Sequence, residues 1–276
     1  MKAGSPAAEH GVRPGDEIVS IDGLGPFVND KVSSHILALI YEERPQTRTW
    51  RLKLRRPSTG RTRTETIKPG RVNETPESRR AVSKRLLTGD VAYNKLPEFG
   101  RDAADHVTTA VNGLRDGRTL HGVILDLRGN GGGDPEQVTR LLGAFAHGKT
   151  TSYFCDVHGN CTTGHTDDTV PLLNLPLVVL TDRGCGSACE DFSTAVKDLK
   201  LGPLVGTRTA GEVAGPSGPL LLDDNSLLIL PPKHYFGTNK EIIDTIGVAP
   251  DHYVPMTADA LSAGKDPALA KALSLL

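Results

Sequence analysis

Two uninterrupted apolar runs, GVILDL at residues 122–127 and PLVVLT at residues 176–181, restrict the fold more than anything else in the chain. A strand with one wet face alternates apolar and polar residues, so a run without alternation needs cover on both faces. Each run is followed by a polar, glycine-containing turn and then by apolar residues at helical spacing. Residues 102–116 place Ala103, Val107, Ala110, Val111 and Leu114 on one side of a helix. Asp134-Pro135 starts another, with Val138, Leu141, Leu142 and Phe145 on its apolar face, and a third runs from the serine segment to about Leu199. VAYNKLPEF reads as a short strand, PLLLDDNSLLIL as a hairpin and GVAPDHYVP as a closing loop and strand. Strands alternating with helices predict an α/β domain with a central sheet over residues 89–276.

Residues 1–68 read as a separate unit. Ser5-Pro6 begins a short helix that Gly11 ends, RPGD is a turn, and EIVSID is a strand stopped by Gly23. Val32, Ile36, Leu39 and Ile40 mark a helix near 30–42, and Trp50, Leu52 and Leu54 alternate as in a half-buried strand. Residues 69–88, rich in Arg, Thr, Pro, Glu and Ser, form a connector.

Charge and composition exclude several functions. A formal net charge of −1 gives no electrostatic case for nucleic acid or an anionic membrane. Aromatic residues make up 4 %, too few for base-stacking platforms, and no run of about 20 apolar residues exists to span a bilayer. MKAGSPAAEH lacks the apolar centre of a signal peptide, which makes the cytoplasm the default location unless the natural chain begins upstream. Cys155 and Cys161 flank a turn-like DVHGN and read as an ordinary hairpin whose thiols are free or paired. With His158 and His165 they also make four potential zinc ligands, though not at the spacing of a standard zinc module. Cys185 and Cys189, four apart, lack CxxC spacing and are expected to be small buried apolar side chains. No metal or organic cofactor is expected.

Ser187 stands where the run PLVVLT hands over to a helix. A serine there is often a mere helix cap, but Gly186 and Ala188 keep its surroundings open. Attack on a carbonyl needs such access and donors for the oxyanion, of which the Ala188 N–H is one. The second constellation is LDLRGNGGGD at 125–134. It is neither a dinucleotide fingerprint nor a phosphate loop, because Asp134 stands where a third glycine is required and no lysine follows. A glycine bend at a strand end exposes backbone N–H groups, so Gly131 and Gly132 are expected to complete an oxyanion hole with Ala188.

Several of these segments carry a resemblance. SPAAEHGVRPGDEIVSIDG is similar to the core of a PDZ domain, and since four residues precede Ser5, the carboxylate loop and strand that bind peptide are expected to be missing from this partial unit. YNKLPEF, LDLRGNGGG, GSACEDFSTAVKD, VGTRTAGE, GVAPD and KDPALAKAL, in this order, resemble the tail-specific, or C-terminal processing, serine peptidases. The resemblance implies a crotonase/ClpP-like core sheet with flanking helices, Ser187 as nucleophile, oxyanion donors at Gly131 and Ala188, and structural support from Asp198 on the same helix. It also exposes a departure, since the lysine general base of the bacterial processing peptidases falls at Glu212. A carboxylate cannot replace a neutral amine. At that position the chain is more similar to the tricorn core protease, whose histidine and acidic positions fall at Lys95 and Asp244. A lysine kept out of water gives up its proton more readily, which makes Lys95 a candidate base, whereas a nearby Asp244 opposes that loss. His234 is the alternative base. The first helical turn also carries Glu190 and Asp191, which fit the helix dipole rather than catalysis. Two functions remain open: a serine endopeptidase acting on unfolded or C-terminal protein segments, and a catalytically impaired binding protein for peptides or apolar ligands, as in the retinoid-binding relatives of the eye. A homo-oligomer, or a partner completing the PDZ-like unit, fits either.

Overall fold

The computed structural model describes residues 4–29, 31–34, 36, 48–70, 75, 81–215 and 218–276. In chain order the elements are α1 (Pro6–Glu9), β1 (Glu17–Ile21), β2 (Phe27–Val28), β3 (Lys31–Val32), β4 (Trp50–Arg56), β5 (Arg61–Ile67), β6 (Ser83–Leu87), β7 (Val91–Lys95), α2 (Ala103–Leu114), β8 (Gly122–Asp126) and α3 (Pro135–Gly143). Then follow β9 (Thr150–Cys155), β10 (Cys161–His165), β11 (Leu177–Thr181), α4 (Ala188–Asp198), β12 (Leu204–Gly206), β13 (Leu220–Leu221), β14 (Leu227–Leu228), β15 (His234–Gly237), β16 (His252–Tyr253), α5 (Ala258–Ser262) and α6 (Pro267–Leu273). They fall into two compact units, residues 1–75 with 256–267, and residues 76–255 with 268–276.

The first unit is built on the antiparallel sheet β1-β4-β5. Ser5 caps α1 by accepting the Ala8 N–H at 3.2 Å, and Gly11, at φ +69°, ends it. Leu54, the deepest of the alternating residues of β4, is fully buried. The stretch 256–267 joins this unit through α5. There Gly15 lies so close that a Cβ would sit 2.3 Å from the Ser262 nitrogen, and its φ of +85° also requires glycine. The helix expected near 30–42 starts later than expected: Lys31–Val32 pairs with Phe27–Val28 as a hairpin, while Ser34 and the buried Ile36 are helical. Leu39 and Ile40 lie outside the described residues.

The second unit holds a six-stranded sheet in the order β16-β12-β11-β8-β7-β6. Its strands are parallel except β6, which runs antiparallel to β7. Residues 83–87, expected in the connector, thus form the edge of this sheet. The apolar runs have the two-sided cover that their composition demands. Val123, Leu125, Leu177 and Val179 enter the cluster that holds the buried residues of α2, α3 and α4. Ile124, Val178 and Leu180 point the other way, into a cluster with Ala268 and Ala272 of α6. A smaller antiparallel sheet, β10-β9-β15, is joined to α4 by the buried Tyr235. Because β7, β8 and β11 run in parallel, their carboxyl ends lie along one edge, the usual place for a site in such sheets.

Candidate active site

Ser187 immediately precedes α4 and lies in an unusual backbone conformation, φ 52° and ψ −123°. Such a conformation costs a non-glycine residue about 1–3 kcal/mol and persists only where its surroundings fix it. Three neighbours do so. The Ser187 N–H donates to the Glu212 carbonyl at 3.0 Å, the Gly186 N–H to the Asn130 carbonyl at 3.0 Å, and the Ala210 N–H to the Cys185 carbonyl at 2.9 Å. The serine does not cap the helix through its side chain. Its Oγ meets no hydrogen-bond partner among the described residues, and the residue is half-buried. The Ala188 N–H, in the first turn of α4, is likewise without an acceptor among the described residues, at the positive end of the helix dipole.

The glycine bend packs directly against this turn. A Cβ on Gly132 would lie 2.6 Å from the Ser187 Cβ and 3.0 Å from the Ala188 nitrogen, and its φ is +109°. The Gly132 N–H, expected as an oxyanion donor, is committed to Asn130 Oδ1 at 2.9 Å. Gly131 borders open space, and its N–H has no acceptor among the described residues. The two glycines therefore differ: Gly132 permits close approach, while Gly131 leaves an N–H exposed. Asn130 is the unforeseen organiser of the bend. It is fully buried, its Nδ2 donates to the Leu96 carbonyl at 3.0 Å, and its own carbonyl holds Gly186. Asp182 adds a second link by accepting N–H groups from both Gly129 and Gly184.

Lys95, at the end of β7, donates to the Arg128 carbonyl at 2.9 Å and lies 3.7 Å from Asp126. Asp126, at the end of β8, is 1 % exposed and also receives Arg128 and the Tyr93 hydroxyl, the latter at 2.7 Å. Burial alone would raise the Asp126 carboxyl; the cationic partners, Arg128 foremost, outweigh it and hold the carboxyl below the usual range. Asp244 accepts the N–H groups of Val213 and Ala214 at 3.0 and 2.9 Å. His234 is exposed on β15, opposite Cys155. Asp198 receives the Asn239 N–H at 3.4 Å, at the far end of α4 from Ser187. Among the described residues no hydrogen bond joins Lys95, Asp244 or His234 to Ser187. Glu212, exposed, reaches the serine through its backbone.

Glu190 and Asp191 lie in the first turn of α4 as expected, but both are buried and have partners outside the helix. Glu190 accepts the Thr209 hydroxyl and the N–H groups of Gly211 and Glu212, the latter two at 2.7 Å, and so anchors the loop that meets Ser187. Asp191 takes the Tyr235 hydroxyl at 2.9 Å. Burial raises the Asp191 carboxyl to about 6, the hydroxyls of Tyr235 and Ser152 offsetting only part of the cost. Cys155 and Cys161 take the paired form of their hairpin, bridged across β9 and β10, whereas Cys185 and Cys189, buried as expected, are not independent apolar side chains but are bridged to each other across the serine. Bridged sulfurs cannot act as thiolate ligands, and no group of three or more His, Cys, Asp or Glu among the described residues is arranged to hold a metal ion.

A serine in a strained turn from a parallel strand into a helix, facing a glycine bend, defines the class of serine-type hydrolases on an α/β sheet. The profile of Peptidase family S41 matches residues 90–254, and the chain belongs to that family. It is 29% identical over 261 residues to "Carboxyl-terminal-processing peptidase 2, chloroplastic" of Arabidopsis thaliana, covering 91% of this chain and 48% of that protein. It is 30% identical over 196 residues to "Tricorn protease" of Thermoplasma volcanium, covering 68% of this chain and 17% of that one. Among solved structures, "Photosystem II D1 C-terminal processing protease" superposes with a TM-score of 0.61 at 26% identity, covering 91% of this chain and 66% of the other. The chain spans about half the length of the curated relatives it matches first.

Proposed function

We propose that the second unit is a serine endopeptidase that cleaves unfolded or C-terminal protein segments through an acyl-enzyme on Ser187. The observation that carries this reading is the Ser187 turn itself. A strained serine with an unengaged Oγ lies beside two N–H groups, of Gly131 and Ala188, that have no acceptor among the described residues. In the proposed sequence Oγ adds to the peptide carbonyl, and the oxyanion is received by those two N–H groups. The serine proton passes to the base and from it to the departing amine. Water then hydrolyses the ester, restoring Ser187 and releasing the acid.

For the base we propose Lys95, which can take the serine proton only after its 3.7 Å ion pair with Asp126 is broken. It ends a strand two places from β11, roughly 10 Å away at ordinary strand spacing. Its bond to the Arg128 carbonyl ties it to the turn that leads into the glycine bend. The family names carried by relatives support peptide-bond hydrolysis as the reaction.

A second reading, a binding protein on the same fold, is favoured by one observation. Among the described residues no base is hydrogen-bonded to Ser187, and Glu212 falls where the related peptidases carry the lysine. An open pocket of about 780 Å³, lined in part by Val82, Lys84, Arg101 and His106, has a volume suited to a small ligand and includes none of the proposed catalytic residues. Digestion of casein and of an unstructured peptide by wild type and by Ser187→Ala separates the readings. The peptidase predicts cleavage by the wild type alone; equal rates leave the binding protein. If the wild type cuts, loss of cleavage in Lys95→Ala, with His234→Ala retaining it, identifies the base.

A further inference from the structure

The Ser187 conformation must be held against its own strain, and the backbone bonds that hold it come from loops. Gly186 is fixed by Asn130 in the glycine bend and Ser187 by Glu212 in the loop after β12. Each of these restraints is a single backbone hydrogen bond. One restraint is independent of both: the Cys185–Cys189 bridge, which links the residues two before and two after the serine. Both cysteines are completely buried. Their sulfurs lie on α4 and the bend rather than facing solvent, with Cys185 Sγ 3.7 Å from Ser193 Oγ and Cys189 Sγ 3.9 Å from the Leu127 carbonyl. The link thus ties the last residues of the turn to the first turn of α4, and Ser187 sits at the centre of the closed loop. All four cysteines are paired.

We propose that Cys185 and Cys189 are positioning residues, whose bridge holds Ser187 in its attacking conformation and makes its reactivity depend on the oxidised state. The proposal rests on the reading of Ser187 as nucleophile. It adds a condition on where the protein works, because such bridges form and persist in oxidising compartments and are reduced in an ordinary cytoplasm.

The test compares the rate at which a fluorophosphonate labels Ser187 in wild type, in Cys185→Ala/Cys189→Ala and in Cys155→Ala/Cys161→Ala, all as the whole chain. A turn released from its brace spends less time in the reactive geometry. The rate in the first variant should fall by roughly tenfold or more, while circular dichroism and the final fraction labelled stay unchanged. The second variant, which removes the distant bridge, should label within about twofold of wild type. Loss of rate without loss of labelled fraction is what positioning predicts and general unfolding does not. A bridge-less variant that labels as fast as wild type overturns the proposal and leaves the nucleophile assignment standing. A wild type that is never labelled at Ser187 overturns both. If Cys185→Ala/Cys189→Ala fails to fold, the Cys155→Ala/Cys161→Ala protein is reduced with dithiothreitol. The remaining bridge takes up two electrons and two protons to become two thiols, seen as a mass gain of two hydrogens while the dithiol becomes its cyclic disulfide. A rate that drops on reduction and returns on reoxidation supports the brace; an unchanged rate with the thiols formed overturns it.

Discussion

Asp16 in the first unit and Asp191 in α4 are both shut away from water, and their carboxyls are driven in opposite directions. The Asp16 side chain is 0 % exposed, and burial alone would raise it. Arg56, the Arg13 N–H and Arg63 all donate to it at 2.7–3.1 Å, outweigh that cost and bring it down to about 2. Asp191 has hydroxyl partners instead, and burial lifts it to about 6. The described part of the first unit contributes few buried apolar residues, Ile21, Ile36, Leu54 and Ile67, and uses charge pairing to bind β1 to β4 and β5. The second unit has apolar core in surplus. It can therefore bury carboxylates whose partners fix where neighbouring segments lie, as Glu190 does for the loop at Ser187. The contrast teaches that burial of an acid marks support of a site only when its partners are backbone and hydroxyl groups from the segments that form the site.

The strongest test of this contrast is Glu190→Ala. Three donors lose their acceptor in a buried place, so stability should drop by about 4 kcal/mol in denaturant titrations, and Ser187 labelling should slow in the fraction that remains folded. Asp16→Asn should cost about 3 kcal/mol, because Arg56 and Arg63 lose their charged partner, yet leave the Ser187 labelling rate as in wild type. A labelling rate that fell with Asp16 would erase the distinction between the two kinds of buried acid.

The smallest effect is the pH dependence at Asp191. Its folded carboxyl is raised above the unfolded one, so between roughly pH 4 and 6 the folded chain holds a proton that the unfolded chain releases. Its contribution to stability is complete in acid and is lost as pH rises through about 6. Asp191→Asn should remove this loss and melt higher than wild type at pH 8, by about 2 kcal/mol, with no gain at pH 4. Asp16 has the opposite sign, its stabilisation being complete above the ordinary carboxylate range and lost as pH falls through about 2. Melting curves across pH that showed the same slope for wild type and Asp191→Asn would contradict the assignment.

The sheet and the serine turn were legible in the sequence because each rests on local pattern. GVILDL and PLVVLT have the unbroken apolar pattern typical of strands covered on both faces, and the glycine or polar turn after each is followed by apolar residues at helical spacing. Features that depend on long-range partners were not legible. Glu190 fits a helix dipole as written, and its three donors stand 19 to 22 residues further on. The Cys185–Cys189 pairing needs the unusual backbone at Ser187 to bring two side chains on one turn within bonding distance, and spacing alone does not reveal it. Gly132 is needed for having no side chain against Ser187 and not as a donor, a close approach that the sequence does not display. Asn130 stands among the glycines of the bend, where asparagine also fits a simple turn, so its burial and its bonds to distant backbone cannot be read from the sequence.

The peptidase reading and the role given to the Cys185–Cys189 bridge both require Ser187 to be a nucleophile. Intact-mass and peptide mapping of the wild-type chain after exposure to a fluorophosphonate tests it most directly. The account predicts one adduct, on the peptide carrying Ser187, absent from Ser187→Ala. No adduct on the folded protein, or one that persists in Ser187→Ala, would contradict it.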